Sequence, residues 1–233
     1  MLCPFCSTAG GRPVDTPNHP SQFIVEPDYL IKWIKEVIKL KNNEVREINI
    51  DSVGESLTHP EITKIISLTK NIKEIEFISI QTNGTLLTKE KIKELEKAGL
   101  NRINLSIQTL NKEKAKLLSC TENYNINNII EAAKEISKSK IELTITPVWI
   151  PKINDKDIID IIKFTKELNC RIGIQKYEEY KHSRKMKGVK EINWYKFYKQ
   201  LESWEKEFNI KLKLGPLDYN IKKTKRIPLI FQI

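Results

Sequence analysis

The sequence has no long hydrophobic run and few cysteines and histidines, and each shortage excludes a class of protein. No uninterrupted apolar stretch reaches the roughly 20 residues that span a bilayer, and no basic segment followed by an apolar one forms a secretion signal. Four cysteines in 233 residues are too few for a disulfide framework, so we expect Cys120 and Cys170, both in apolar segments, to be buried free thiols. Three histidines, with no i, i+4 pair, disfavour a zinc-dependent hydrolase. We therefore expect a cytoplasmic protein without a membrane partner.

The composition is that of one globular, enzyme-sized unit. Hydrophobic residues make up 39% of the sequence and charged residues 30%, which provides for a core and argues against disorder. The ten prolines and eight glycines are spread along the chain and mark no linker. We therefore treat 1–233 as one domain, with a loop and lead-in at 1–26, strand and helix units at 27–180, and a basic loop, last helix, last strand and tail at 181–233.

Basic residues outnumber acidic ones and give a formal net charge of +10. Two segments near the C-terminus, "KHSRKMKGVK" and "KKTKR", concentrate this charge. If the partner is RNA, the phosphate contacts would come from Lys181, Arg184, Lys185, Lys187 and the run 222–226. Acidic residues are interleaved with the basic ones over most of the length, so a solvated lysine-rich surface explains the charge equally well.

Short β-rich runs alternate with amphipathic segments. The segment "YLIKWIKEVIKLK" places Leu30, Trp33 and Val37 on one helical face, and "REINIDS" alternates apolar and polar residues as a strand does. Such units predict six strands, near residues 46, 76, 102, 141, 171 and 211. Strands that arrive every ~30 to 40 residues with helices between them are typical of parallel neighbours. The fold class is therefore α/β, as a full or partial barrel or as an open doubly wound sheet.

Small and polar residues follow these strands, at the edge where parallel α/β proteins carry their sites. They occur in "SVGES" after the first strand, "TNGT" after the second, "SIQT" at the end of the third and "PVWIPKIND" after the fourth. Each stretch alone is typical of a turn. Together they indicate a site at the carboxyl edge of the sheet.

The two cysteines of "CPFC" give a separate chemical signal. Cys3 and Cys6 have the C-x-x-C spacing of half a zinc site, of a thioredoxin-type redox pair or of part of an iron–sulfur motif. Zinc would need further ligands such as His19 or His59. A thioredoxin-type pair would follow a strand, and no strand precedes this one.

Five stretches, taken in order, resemble the radical S-adenosylmethionine (SAM) superfamily: "CPFC", "GES", "IQTNGTLLT", "GLNRINLSIQT" and "ITPVWIPKIND". The resemblance runs from Cys3 to about Tyr177 and is nearest to archaeal iron–sulfur oxidoreductase-like proteins of unsettled substrate. Each stretch alone is common, whereas the ordered set is specific. The resemblance implies a partial (β/α)6 barrel of TIM type, built of parallel strands and lacking the family's first strand.

The resemblance also implies the cofactors. Thiolates of a C-x-x-x-C-x-x-C loop hold a 4Fe-4S cluster whose open iron binds SAM, and an electron donor starts cleavage to a 5'-deoxyadenosyl radical. By position, the cluster ligands in this sequence are Cys3 and Cys6. The residues carried over to SAM are Gly54 and Glu55 for the methionyl ammonium, Ser106 and Gln108 for the ribose and carboxylate, Thr82 and Asn83 in the neighbouring loop, and Val148, Pro151 and Asn154 on the adenine side.

The sequence departs from the family pattern in three places. The first cluster cysteine should lie four residues before Cys3, ahead of Met1, so the resemblance implies a preceding segment. "SVGES" keeps only part of the family's glycine-glycine-glutamate-proline stretch, and Gln108 stands where an acidic residue is frequent. Two hypotheses follow: a radical SAM enzyme with an unknown substrate, RNA being one candidate, or a degenerate or truncated α/β binding module that has lost the cluster. The oligomeric state is not indicated.

Overall fold

Helices and strands alternate along the chain as the hydrophobic pattern predicts. The computed structural model describes residues 3–6, 24–52, 54–179, 184–215 and 218. The helices are α1 Pro27–Leu40, α2 Ile62–Lys70, α3 Lys89–Ala98, α4 Lys112–Ser119, α5 Ile126–Ser137, α6 Asp155–Glu167 and α7 Trp194–Phe208, with a short 3-10 helix at Ser56–Thr58. The strands are β1 Glu47–Ile50, β2 Phe77–Thr82, β3 Arg102–Leu105, β4 Glu142–Ile145, β5 Val148–Trp149, β6 Arg171–Ile172 and β7 Gln175–Lys176. None of the described helices is both long and apolar enough to cross a membrane.

The strands form a parallel sheet, which confirms the α/β fold class. Within the described residues, five strands pair in the order β1-β2-β3-β4-β6, and every pairing is parallel. These are the strands predicted near residues 46, 76, 102, 141 and 171. A second parallel pair, β5 with β7, continues past the ends of β4 and β6. Helical crossovers between successive strands account for the parallel arrangement.

The strand predicted near residue 211 is wrong. Residues 210–215 form no strand, although Leu212 is buried against the core. The backbone N–H groups of Leu212 and Lys213 both donate to the carboxylate of Glu205, each at 2.8 Å. Because a side chain of α7 takes these two donors, this segment is irregular and pairs with no described strand.

The two faces of the sheet differ in polarity. One face carries aliphatic side chains that pack against the helices, as Ile78, Ile80 and Ile103 do with no exposed surface. Apart from Phe77, most residues of the opposite parity are polar: Glu47, Asn49, Ser79, Gln81, Arg102, Asn104, Ser106, Thr144 and Thr146. Parallel sheets are usually apolar on both faces, because both are covered. A polar face on a parallel sheet therefore indicates a surface that meets a ligand or water.

Hydrogen bonds order the side chains of this polar face. The Ser79 hydroxyl donates to Asn49 at 2.8 Å, and the Asn104 amide donates to the same Asn49 oxygen at 3.2 Å. Glu47 forms an ion pair with Arg102, whose guanidinium also lies over the ring of Phe77. Buried charges are tolerated when they are paired in this way.

Helix α7 packs its aromatic side against β5. The ring centroid of Trp149 lies 5.8 Å from that of Phe197 and 5.1 Å from that of Trp204. All three rings are buried, and aromatic pairs at such distances contribute beyond their buried area. This contact holds α7 beside the carboxyl ends of the strands.

We expect Gly84→Ala to lower the free energy of unfolding by about 2–4 kcal/mol. Gly84 has a φ of 79°, and an added Cβ would lie 2.7 Å from Cδ1 of Leu105 and 3.0 Å from Cγ2 of Ile129. Gly188→Ala is the matched control, since Gly188 has a φ of 78° with nothing within 4 Å of the added Cβ. The control should cost about 1 kcal/mol in urea titrations. Equal losses in both variants would contradict the packing argument.

Candidate functional site

A single large cavity contains nearly all of the predicted site residues. It measures about 1140 Å³ and extends over the polar face of the sheet and the loops at its carboxyl edge. Nine of the eleven predicted cluster and SAM residues line it: Cys3, Cys6, Gly54, Glu55, Thr82, Asn83, Ser106, Gln108 and Val148. Pro151 and Asn154 are the two exceptions. The sequence thus located the cavity, while the binding roles of these residues stay predictions.

The cysteine loop forms a tight turn at the rim of the cavity. The N–H of Cys6 donates to the carbonyl oxygen of Cys3 at 3.2 Å, and both residues are half-buried. Burial, and to a smaller extent the negative charge of Cys6, raise the pKa of the Cys3 thiol to about 11. Because both cysteines lie in one turn and line the same cavity, their thiols are candidate ligands for one metal centre.

Glu55 joins the loop after β1 to the end of β2. Its Oε1 accepts hydrogen bonds from the hydroxyl of Thr82 at 2.6 Å and the N–H of Leu57 at 3.1 Å. Its Oε2 accepts one from the N–H of Asn83 at 2.8 Å. One described hydrogen bond on Oε2 leaves that oxygen able to accept another from a ligand. The carboxylate therefore orders the loop and still faces the cavity.

Asn154 is fully buried and forms hydrogen bonds with three backbone groups. Its Oδ1 accepts from the N–H of Ile150 at 2.7 Å, and its Nδ2 donates to the carbonyl oxygens of Val148 at 2.9 Å and Gln108 at 3.1 Å. A further hydrogen bond links the segments of Gln108 and Val148, because the side-chain oxygen of Gln108 accepts from the N–H of Val148 at 2.6 Å. Asn154 therefore holds β5 against the end of β3 and does not itself line the cavity.

Two residues that sequence reasoning missed also line the cavity. Gln81 donates to the hydroxyls of Ser106 at 2.9 Å and Thr146 at 3.1 Å and so bridges three strands. Gln81 alternates with the apolar residues of β2 and so lies on the same face as Ser79. This alternation was the signal that could have placed Gln81 on the polar face. Tyr124 is buried between α4 and α5, and its pKa is raised by burial and by the charges of Cys3 and Glu55. No local pattern marks Tyr124, because a loop residue carries no periodicity.

The remaining cysteines and histidines lie in different surroundings, and one expectation about them is wrong. Cys120 is exposed, not buried, at the C-terminal end of α4, whereas Cys170 is half-buried against the core. His59 does not support a zinc site, because its ring nitrogens contact the carbonyl oxygen of Val25 at 2.9 Å and the N–H of Glu61 at 3.1 Å. His19 lies outside the described residues.

The basic segment divides into inward and outward side chains. Lys185 and Lys187 are exposed, as phosphate contacts would have to be. Arg184 is half-buried, and its guanidinium donates to the carbonyl oxygen of Cys3 at 3.4 Å. Lys181 and the run 222–226 lie outside the described residues. Arg184 therefore contacts the cysteine turn, whereas its charge alone predicted a contact with phosphate.

Comparison with known proteins identifies the family. The model of the radical SAM superfamily matches residues 1–165, and the chain belongs to this superfamily. The uncharacterised protein MJ0103 of Methanocaldococcus jannaschii is 34% identical over 256 residues, covering 100% of this chain and 59% of that protein. GTP 3',8-cyclase of Aquifex aeolicus is 28% identical over 177 residues, covering 76% of this chain and 52% of the cyclase. The chain therefore spans only half to three fifths of these relatives.

A solved structure confirms the fold. Streptococcus suis SuiB bound to S-adenosylmethionine aligns with a TM-score of 0.68 at 20% identity, covering 89% of this chain and 44% of SuiB. Members of the superfamily use a 4Fe-4S cluster and SAM. The donor set fits the cluster in kind, because Cys3 and Cys6 are paired thiols on the cavity rim. No group of three or more metal-binding side chains occurs among the described residues, so Cys3 and Cys6 would be two of the ligands of such a cluster.

Proposed function

We propose that this chain is a radical SAM enzyme whose cluster is held in part by Cys3 and Cys6 and whose SAM binds in the adjoining cavity. The observation that carries the proposal is the shared cavity, in which the cysteine turn, Glu55, Asn83 and Ser106 meet. When bound, a 4Fe-4S cluster would supply the electron for reductive cleavage of SAM. An external electron donor is therefore part of the proposal.

The residues of the chain have separate tasks in this proposal. Oε2 of Glu55 accepts a hydrogen bond from the methionyl ammonium of SAM, and its negative charge favours that cation. Ser106 and Gln108 orient the ribose and carboxylate through hydroxyl and amide groups. Val148 and Phe5 supply apolar surface beside them and limit the access of water.

The size of the cavity supports a substrate that binds beside SAM. Ligand pockets commonly measure about 300–1,000 Å³, so a cavity of about 1140 Å³ has room for SAM and a second small molecule. Trp194 and Tyr198 of α7 line its wall and stack with ring centroids 5.7 Å apart. Such a wall favours a substrate with a flat or apolar part. An RNA substrate stays a prediction from net charge.

Cluster binding by the two thiols can be tested on the 233-residue chain. The protein is reconstituted anaerobically with ferrous iron, sulfide and excess 2-mercaptoethanol, which supplies thiolate to any iron without a protein thiol. We expect about four irons per chain and, after reduction, an electron paramagnetic resonance signal that changes when SAM is added. Cleavage of SAM to 5'-deoxyadenosine is then measured by liquid chromatography and mass spectrometry.

The variants Cys3→Ser and Cys6→Ser should lose iron by more than about tenfold, because each removes a direct ligand. Cys170→Ser is the matched control, since Cys170 is half-buried away from the cavity lining and should keep full iron content. Equal iron in all four proteins would refute the assignment of the ligands. Absence of both iron binding and SAM cleavage in the unsubstituted chain would favour the binding-module hypothesis.

A further inference from the structure

The cysteine turn contacts the chain about 180 residues later. The N–H of Arg184 donates to the carbonyl oxygen of Cys6 at 3.2 Å, and its guanidinium reaches the carbonyl oxygen of Cys3 at 3.4 Å. One arginine thus contacts both ends of the Cys3–Cys6 turn. Within the turn, the N–H of Cys6 donates to the carbonyl oxygen of Cys3 at 3.2 Å.

A small apolar cluster supports the same contact. Its buried members are Leu118, Ile150 and Tyr177, and the partly buried side chains packed against them are Phe5, Val148, Ile153, Met186 and Val189. We call this set the minor core. Phe5 comes from the cysteine turn and Met186 from the segment that follows Arg184. The N–H of Met186 donates to the hydroxyl of Tyr177 at 3.2 Å, which fixes that segment to the end of the sheet.

We infer that Arg184 is a positioning residue that fastens the Cys3–Cys6 turn to the C-terminal half of the chain. The inference rests on the proposed function, because the turn matters only if it carries the cluster. The guanidinium keeps a positive charge beside a turn whose thiolates are negative when they bind metal. The turn and the cavity are thereby held in one arrangement before any ligand arrives.

Alkylation of the metal-free protein tests this inference without a cluster. Rates of iodoacetamide labelling at Cys3 and Cys6 are measured by peptide mass spectrometry in the unsubstituted chain, Arg184→Ala and Lys185→Ala. We expect Arg184→Ala to raise these rates about tenfold, the factor for losing one hydrogen bond from a charged donor. Lys185→Ala is the matched control, because its side chain is adjacent and exposed. Arg184→Lys should restore part of the protection.

Cys170 reports whether the whole protein has opened instead. Its half-buried thiol packs against the hydrophobic core between the sheet and the helices. The rate of iodoacetamide labelling at Cys170 should therefore be unchanged in Arg184→Ala. An equal rise at Cys170, or equal rates in Arg184→Ala and Lys185→Ala, would overturn the inference. A second measurement is iron loss from reconstituted protein to a chelator, which should be about tenfold faster in Arg184→Ala.

The two proposals fail separately. If Cys6→Ser loses iron while Arg184→Ala leaves labelling unchanged, the cluster ligands stand and the positioning role is wrong. If Arg184→Ala raises labelling while no variant loses iron, the structural contact stands and the cluster assignment is wrong.

Discussion

Glu55→Ala is expected to weaken SAM binding by more than about tenfold and to lower the free energy of unfolding by about 2–4 kcal/mol. The substitution removes the acceptor for the hydroxyl of Thr82 and for the N–H groups of Leu57 and Asn83. Part-buried donors left without a partner account for the loss of stability. The lost contact to the methionyl ammonium accounts for the loss of binding. Equilibrium dialysis of SAM with reconstituted protein and urea titration measure the two effects.

Two further variants separate these effects. Glu55→Gln keeps one carbonyl acceptor but removes the charge, so it should retain more stability than Glu55→Ala and still bind SAM poorly. Glu61→Ala is the matched control, because Glu61 forms only an exposed ion pair with Lys64 at 3.1 Å among its described charge contacts. It should change the free energy of unfolding by less than about 0.5 kcal/mol. SAM affinity equal to that of the unsubstituted chain in Glu55→Ala would remove Glu55 from the site.

Asn154→Asp should destabilise the fold by about 3–5 kcal/mol at neutral pH. The substitution replaces the donating amide with a carboxyl group that faces the carbonyl oxygens of Val148 and Gln108 in a fully buried position. Burial and these oxygens raise the pKa of the introduced group in the folded state. The variant is therefore least destabilised at acidic pH, where the group is protonated, and loses stability as pH rises above the unfolded pKa of about 3.9.

Urea titrations at several pH values measure this dependence. Asn127→Asp is the control, because Asn127 is exposed in the first turn of α5, where a negative charge is favourable. It should stay within about 0.5 kcal/mol of the unsubstituted chain. A pH-independent loss in Asn154→Asp would show that packing, not the introduced charge, is responsible.

Sequence patterns predicted the features that repeat locally. Alternation in "REINIDS" and its counterparts predicted the five sheet strands, and the polar residues after them include Glu55, Asn83 and Ser106 of the cavity lining. The pattern failed at Lys211 to Leu214, because alternation cannot reveal that Glu205 takes the backbone donors. The role of Asn154 depends on contacts with two other strand ends and likewise has no local signature.

Arg184 and Tyr124 could not have been found at all from their neighbours in sequence. Arg184 lies in a run of basic residues, and only the tertiary fold turns it toward Cys3 while Lys185 stays in solvent. Tyr124 lies in a loop whose position is set by two helices. Long-range contacts of this kind depend on how several helices and strands pack in three dimensions. No spacing of residues along a single sequence reveals that packing.

The unequal faces of the sheet bear on how this protein can change in evolution. Folding stability comes mainly from the aliphatic layer beneath the helices, where residues such as Ile78 and Ile103 have no exposed surface. The opposite layer, with Asn49, Gln81 and Asn104, contributes little to that burial. Exchange of these amides for other side chains would alter what the cavity accepts while the scaffold persists, so descendants can acquire new chemistry without first acquiring a new fold.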